Sequence, residues 1–304
     1  MLVPKKVSKP VVSIGSVVVG GAGKTPLALL LANSFSHRRA AILSRGESLQ
    51  GSLRDEPALL SKRCPQARVY IGKDRRLSAE KAISDGAEVI FLDDGFQHRK
   101  LDREIDLVLV SAKESLFDKK YLPAGYLRDD PRRLEEASFI FVNSIQSEKE
   151  LQDWKKTFPL ERPLIGVNLE VSRFVPEASL QGMPIAFFCG IARPERFKDL
   201  LLERGAKVVI EKILADHEGI CPSELDAFAK EAKNLGAQAL LCTEKDFVKL
   251  SLSDEISLPI IYPEMELKIT AGRENWQKLV AKIEEKIDNC LDFVHCLATS
   301  SMRF

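Results

Sequence analysis

The chain has no apolar run approaching the ~20 residues that a membrane-spanning helix needs, so no transmembrane segment is expected. Its first ten residues carry lysines but no apolar core of a leader, so no secretory signal peptide is expected there. An excess of one charge is also missing. The formal net charge of +1 gives no bulk attraction to nucleic acid and leaves only a local basic patch open. The six cysteines form no C-x-x-C pair and show no metal-ligand spacing. Several stand in apolar runs, where a cysteine behaves as a small hydrophobe, so reduced thiols of a cytosolic protein are expected. There is no internal repeat and no low-complexity linker. What remains is an ordinary globular composition, and 304 residues suffice for a sizeable core and two domains.

Against that background one stretch stands out. The β-branched run Val11-Val12-Ser13-Ile14 leads into Gly15-Ser16-Val17-Val18-Val19-Gly20-Gly21-Ala22-Gly23-Lys24-Thr25-Pro26, and an apolar helical pattern follows over residues 27–35. This predicts a strand, a glycine loop and a helix start. Gly20, Gly21 and Gly23 permit positive φ and let backbone N–H groups approach an anion without Cβ interference. The helix N-terminus adds the positive end of its dipole. Lys24 is placed to reach β- and γ-phosphates, and the Thr25 hydroxyl to bind Mg²⁺. The match to G-x-x-x-x-G-K-[ST] is incomplete, because its first glycine falls at Val18. A glycine-rich turn with a surface lysine is the plainer alternative; the flanking strand and helix favour a nucleotide-phosphate site.

Further along, residues 39–43 predict a second strand ending at Ser44-Arg45-Gly46, and Asp55-Glu56-Pro57 opens a helix. Helix capping alone would explain those two acids. Residues 88–92 form an apolar strand running directly into Asp93-Asp94-Gly95-Phe96-Gln97-His98. Ligands of doubly wound sheets bind beyond the carboxyl ends of the strands, where paired carboxylates suit Mg²⁺ or its waters. Two more buried strands, at 106–110 and 138–143, flank a loop over 121–133 whose arginines suit phosphate, or simply solvent. From about Pro163 the pattern restarts. Residues 164–171 read as an extended connector, and a β-α-β-α-β run over 185–242 predicts a second, smaller α/β domain. A last helix over 273–287 is expected to pack back on the body, and 288–304 carries no signal. The expected fold is therefore α/β, a P-loop NTPase-type (RecA-like), mostly parallel sheet flanked by helices. Its domains are expected at 1–170 and 171–304.

The motifs, taken in order, resemble a known family. The loop 19–26, Ser44-Arg45-Gly46, Asp55-Glu56-Pro57, Asp93-Asp94-Gly95-Phe96-Gln97-His98 and Leu122-Pro123-Ala124-Gly125 with Arg128 are followed by Gly190-Ile191, Asp216-His217 and Thr243-Glu244-Lys245-Asp246. Together they resemble the tetraacyldisaccharide 4′-kinases (lipid A 4′-kinases) over roughly residues 11–250. The resemblance implies transfer of the ATP γ-phosphate to the 4′-hydroxyl of a tetraacyldisaccharide 1-phosphate, giving lipid IVA. It implies ATP and Mg²⁺ as cofactors and a peripheral place on the cytoplasmic face of the inner membrane. A monomer without a nucleic-acid partner is expected.

The resemblance also implies roles. Gly20, Gly21, Ala22, Gly23, Lys24 and Thr25 would hold the nucleotide phosphates, with Gln97 and Arg128 beside them. Thr25, Asp93 and Asp94 would organise Mg²⁺, with Glu56 near it. Asp55 matches the family's general base and His217 the histidine that orients it. A base and its partner on separate domains would make catalysis depend on closure. The chain departs from the family pattern at Glu47-Ser48, Asp129 and Glu218, where Tyr-Gly, Glu and His are usual. No amphipathic helix of the kind usual in the family precedes the first strand, so either the true start is expected upstream of Met1 or the lipid is expected to be reached through other apolar surface. A P-loop kinase of a soluble small molecule and a nucleotide-switched binding protein remain as alternatives.

Overall fold

The computed structural model describes residues 4–19, 23–45, 55–113, 120–122, 124–158, 160–215, 218–250 and 256–300. They gather into two compact units. The first takes the described residues of Met1–Gly46, Leu60–Leu169 and Leu267–Phe304; the second takes those of Glu47–Leu59 and Glu170–Glu266.

The first unit is built on β1 (Val11–Gly15), α1 (Lys24–Ser34), β2 (Ala40–Ser44), α2 (Asp55–Arg63, shared with the second unit), β3 (Arg68–Ile71), α3 (Arg75–Ser84), β4 (Val89–Leu92), β5 (Ile105–Ser111), a 3₁₀ turn (Pro131–Glu136), β6 (Phe139–Asn143), α4 (Glu148–Thr157) and the first half of β7 (Leu164–Val175). Its strands lie in the order β3-β2-β4-β1-β5-β6-β7, and each neighbouring pair is parallel. Every residue of β1, β2, β4 and β6 is buried. Strands covered on both faces read as continuous apolar runs without alternation, which is why these were legible in sequence. At the end of β1 a Cβ on Gly15 would collide with Phe96, so glycine is required for the loop after β4 to close over the central strand.

The second unit contains β8 (Pro184–Cys189), α5 (Pro194–Glu203), β9 (Lys207–Ile213), α6 (Pro222–Asn234), β10 (Ala239–Leu241), the short α7 (Glu244–Phe247) and the first half of β11 (Ile260–Ala271). Its parallel order is β11-β10-β8-β9. Phe187 and Phe188 point to opposite faces of β8: Phe188 packs with Leu225 and Phe228 of α6, and Phe187 with Phe197 and Leu201 of α5. Covering both faces needs one helix layer on each side.

Three observations differ from the sequence reading. The presumed connector at 164–171 is most of β7, a regular strand. Strand β11 gave no sequence signal because Pro263 sits inside it, and proline argues against a central strand. The last helix, α8 (Arg273–Ser300), continues beyond residue 287; no glycine or proline follows to end it. Its buried Leu279, Ile283 and Ile287 face the first unit. Glu284 receives Arg38 at 2.7 Å and His37 at 2.7 Å, both just past α1.

Candidate active site

Helix α1 begins directly after Gly23, which adopts φ 98°, a left-handed conformation that a side chain would strain. Gly23 has no side chain to cap α1, which suits the backbone N–H groups of Lys24 and Thr25 to an anion, Pro26 having none. Gly20, Gly21 and Ala22 lie outside the described residues. Lys24 and Thr25 open the helix, with Thr25 buried at 5% exposure.

Two other segments are tied to this one. After β4, the Gly95 N–H donates to Ile14 O at 2.8 Å, and Gln97 Nε2 donates to Ser16 O at 2.9 Å. From the other side, Val19 N–H donates to Tyr126 O at 2.8 Å and Arg128 N–H to Val17 O at 2.9 Å. The charges converge on Asp94. Lys24 Nζ lies 2.7 Å from its Oδ1, and Arg128 Nη1 donates to both carboxylate oxygens at 2.7 Å. Burial would raise the Asp94 pKa, but the Lys24 charge and then the Arg128 charge overcome it and hold the carboxyl at about 2. Asp94 also has φ 51°, uncommon for a residue with a side chain though tolerated best by Asp and Asn.

Asp93 is buried, its N–H donating to Leu43 O at 2.9 Å. Beside it lies Arg75, the first residue of α3. Only 4% exposed, Arg75 donates to Gly72 O at 3.0 Å and Asp93 O at 3.4 Å. Burial lowers its pKa, opposed by Asp93 and Asp94. An arginine just past the carboxyl end of a strand was the available signal. Asn143, at the end of β6, was also missed; its Nδ2 lies 3.5 Å from where a Cβ on Gly23 would stand.

The second unit assembles the remaining motifs. Glu56, in the first turn of α2, pairs with Lys245 Nζ at 2.6 Å. Asp246, 2% exposed, accepts from Thr243 Oγ1 at 2.6 Å, Gly190 N–H at 3.2 Å and Lys249 Nζ at 3.3 Å. Lys249 Nζ also donates to Glu218 O at 3.4 Å. Glu218 Oε2 accepts Ala215 N–H at 2.7 Å. Asp216, His217 and the Asp55 side chain lie outside the described residues. Residues 55–59 nonetheless belong to the same unit as Ala215 and Glu218. Helix α2 thus begins in one unit and ends in the other.

Among the described residues no three His, Cys, Asp or Glu side chains form a metal-holding group. Mg²⁺ does not require one, because it takes one or two carboxylates and completes its shell with phosphate oxygens and water. The Thr25 hydroxyl, Asp93 and Asp94 are hard oxygen donors of that kind.

Comparison with known proteins decides the family. The tetraacyldisaccharide-1-P 4′-kinase sequence profile matches residues 1–285. The chain belongs to the tetraacyldisaccharide 4′-kinase family. It is 34% identical over 313 residues to the tetraacyldisaccharide 4′-kinase of Chlamydia abortus, covering 92% of this chain and 84% of that protein. The enzyme of the same name from Anaeromyxobacter sp. (strain Fw109-5) is 32% identical over 283 residues, covering 83% and 76%. The crystal structure of LpxK from Aquifex aeolicus in complex with ATP superposes with a TM-score of 0.70 at 27% identity, covering 92% of this chain and 90% of that one. The P-loop α/β expectation holds. Asp129 pairs with Arg133, and Glu218 accepts from Ala215 N–H.

Proposed function

We propose that this chain transfers the γ-phosphoryl group of ATP to the 4′-hydroxyl of a tetraacyldisaccharide 1-phosphate. The supporting observation is the pair of cations, Lys24 and Arg128, converging on Asp94 at the open N-terminus of α1. Phosphoryl transfer asks mainly for positioning and for neutralisation of charge. The α1 amides and Lys24 hold the β- and γ-phosphates, and Arg128 balances charge on the transferring group. Thr25, Asp93 and Asp94 would hold Mg²⁺, which when bound would supply neutralisation of phosphate charge. Asp55 takes the proton of the acceptor hydroxyl as its oxygen bonds to phosphorus. The bond between the γ-phosphorus and the bridging oxygen breaks, and ADP leaves. His217 orients Asp55, and the Lys245–Glu56 pair fixes the first turn of α2.

The test is transfer of label from [γ-³²P]ATP to a tetraacyldisaccharide 1-phosphate in detergent micelles. The expected product is a bis-phosphorylated lipid that appears only with Mg²⁺. Nucleotide binding without transfer to this acceptor would overturn the reading.

The same loop that delivers Arg128 exposes Tyr121 (52%), Leu122 (53%) and Tyr126 (56%), and is pinned to the P-loop strand through Val18 and Val19. Rings with one apolar and one polar end suit a lipid–water boundary. They support acyl-chain contact and a peripheral position at a membrane, for which the family resemblance implies the cytoplasmic face of the inner membrane; among the described residues no helix is long and apolar enough to cross one. Replacing all three by serine is expected to raise KM for the lipid about tenfold, from partial burial worth at least ~1.4 kcal/mol, with KM for ATP unchanged. Steady-state kinetics in mixed micelles measures both; an unchanged lipid KM would remove this loop from the lipid contact.

A further inference from the structure

We infer that Arg103 is a positioning residue that sets the Asp94 loop for magnesium-dependent phosphate binding. The inference rests on the kinase reading above only in assigning magnesium and nucleotide phosphate to Asp94.

Arg103 stands outside every motif that marks the site. Its Nη1 donates to three carbonyls of the loop that follows Asp94, Gly95 O at 3.0 Å, Phe96 O at 3.4 Å and His98 O at 2.8 Å. Its Nε lies 3.1 Å from Asp106 Oδ1 on β5, and both side chains are largely buried. The same Asp106 oxygen accepts the Ser13 hydroxyl of β1. One guanidinium therefore joins this loop to the two central strands. β1 ends at Gly15, where the P-loop begins.

The loop needs this support. Asp94 holds a left-handed backbone, the following Gly95 bonds back to β1, and Gln97 reaches Ser16. What few other groups could do is hold these carbonyls and the Asp106 carboxylate at the same time. A guanidinium presents several donors in a rigid plane, whereas lysine offers a single ammonium centre. A lysine here could reach the carbonyls or Asp106, not both sets in the same geometry.

Arg133 reinforces the arrangement from the Arg128 side. Its guanidinium lies 4.7 Å from the centre of the Phe96 ring and pairs with Asp129, the neighbour of Arg128. Arg103 and Arg133 both line a cavity of about 440 Å³, with Pro4, Leu101 and Glu136 on its walls. The two loops whose side chains meet at Asp94 are thus fixed from behind by two arginines on one cavity. Groups that orient metal ligands from outside the coordination shell typically matter 10–100-fold.

The experiment uses the full chain with Arg103→Ala and Arg103→Lys. Two readouts are needed: affinity for a fluorescent ATP analogue with and without Mg²⁺, and the half-saturating Mg²⁺ for phosphoryl transfer. In Arg103→Ala, affinity without Mg²⁺ is expected to stay within about twofold, while the gain on adding Mg²⁺ falls about 10–100-fold. Arg103→Lys is expected to show the same loss, smaller in size. Methylguanidinium entering the cavity is expected to restore part of the Mg²⁺-dependent gain to Arg103→Ala and none to Arg103→Lys. A Mg²⁺ response unchanged in both variants would overturn the inference. So would a loss of Mg²⁺-free and Mg²⁺-dependent affinity in equal proportion, which marks a general folding defect. Because the binding readout needs no lipid acceptor, a failure of the substrate assignment would leave it intact and be seen separately.

Discussion

Asp94→Asn is expected to lower kcat by roughly 10²–10³-fold, the scale of losing one preorganised electrostatic group in a transferring site. The carboxylate is the common partner of Lys24 and Arg128 and one of the oxygen donors available to Mg²⁺. The amide keeps the shape and the left-handed backbone, which Asn also tolerates, so the change isolates charge. Nucleotide affinity should move the other way. With the negative charge gone, Lys24 and Arg128 are no longer neutralised, and ATP without Mg²⁺ is expected to bind at least as tightly as before. Parallel titrations of ATP with and without Mg²⁺, together with kcat, separate these effects. Equal losses in kcat and in Mg²⁺-free affinity would show that Asp94 serves only to hold the loop together.

The same carboxylate contributes to acid stability, with a definite sign. Its pKa, about 2 in the fold, lies below the value of ~3.9 in an unfolded chain. The folded state therefore gains from the charged form above about pH 4, and loses that gain as pH falls toward about 2. The difference in unfolding midpoint between the parent and Asp94→Asn should shrink across that interval.

Asp55→Ala carries the other large effect. A positioned general base is typically worth ~10²–10⁴-fold, and kcat is expected to fall by that order while KM for ATP changes little. Asp55 begins α2, whose next residue is held by Lys245. The substitution therefore leaves the ion pair that seats the helix start in place. His217→Ala should cost less than Asp55→Ala, and the double variant should be no worse than Asp55→Ala alone, because the two act as one unit. Retention of near-parental turnover in Asp55→Ala would end the general-base assignment and direct attention to another acid.

Much of the chain is legible from the order of its residues alone. The P-loop is readable because strand, glycines and Gly-Lys-Thr are consecutive, so local backbone requirements and phosphate chemistry act within one short stretch. The Asp93-Asp94 pair is readable because it ends a strand buried on both faces, whose apolar run points to its own terminus. The β-α alternation determined the α/β class for the same local reasons. Tertiary structure decided what depends on residues distant in sequence. The capture of Lys24 and Arg128 by one carboxylate joins positions 24, 94 and 128, and no periodicity encodes that meeting. Arg75 and Arg103 lie outside every sequence motif, and burial and backbone carbonyls alone give them partners. Strand β11 was hidden because Pro263 obeys local propensity, while its pairing with β10 obeys the sheet. Sharing of α2 between the two units was equally invisible, since hydrophobic pattern reports that a helix is amphipathic and not which body each turn contacts. Short-range steric and hydrogen-bonding rules are written residue by residue; long-range electrostatic and packing partners exist only once the chain has closed on itself.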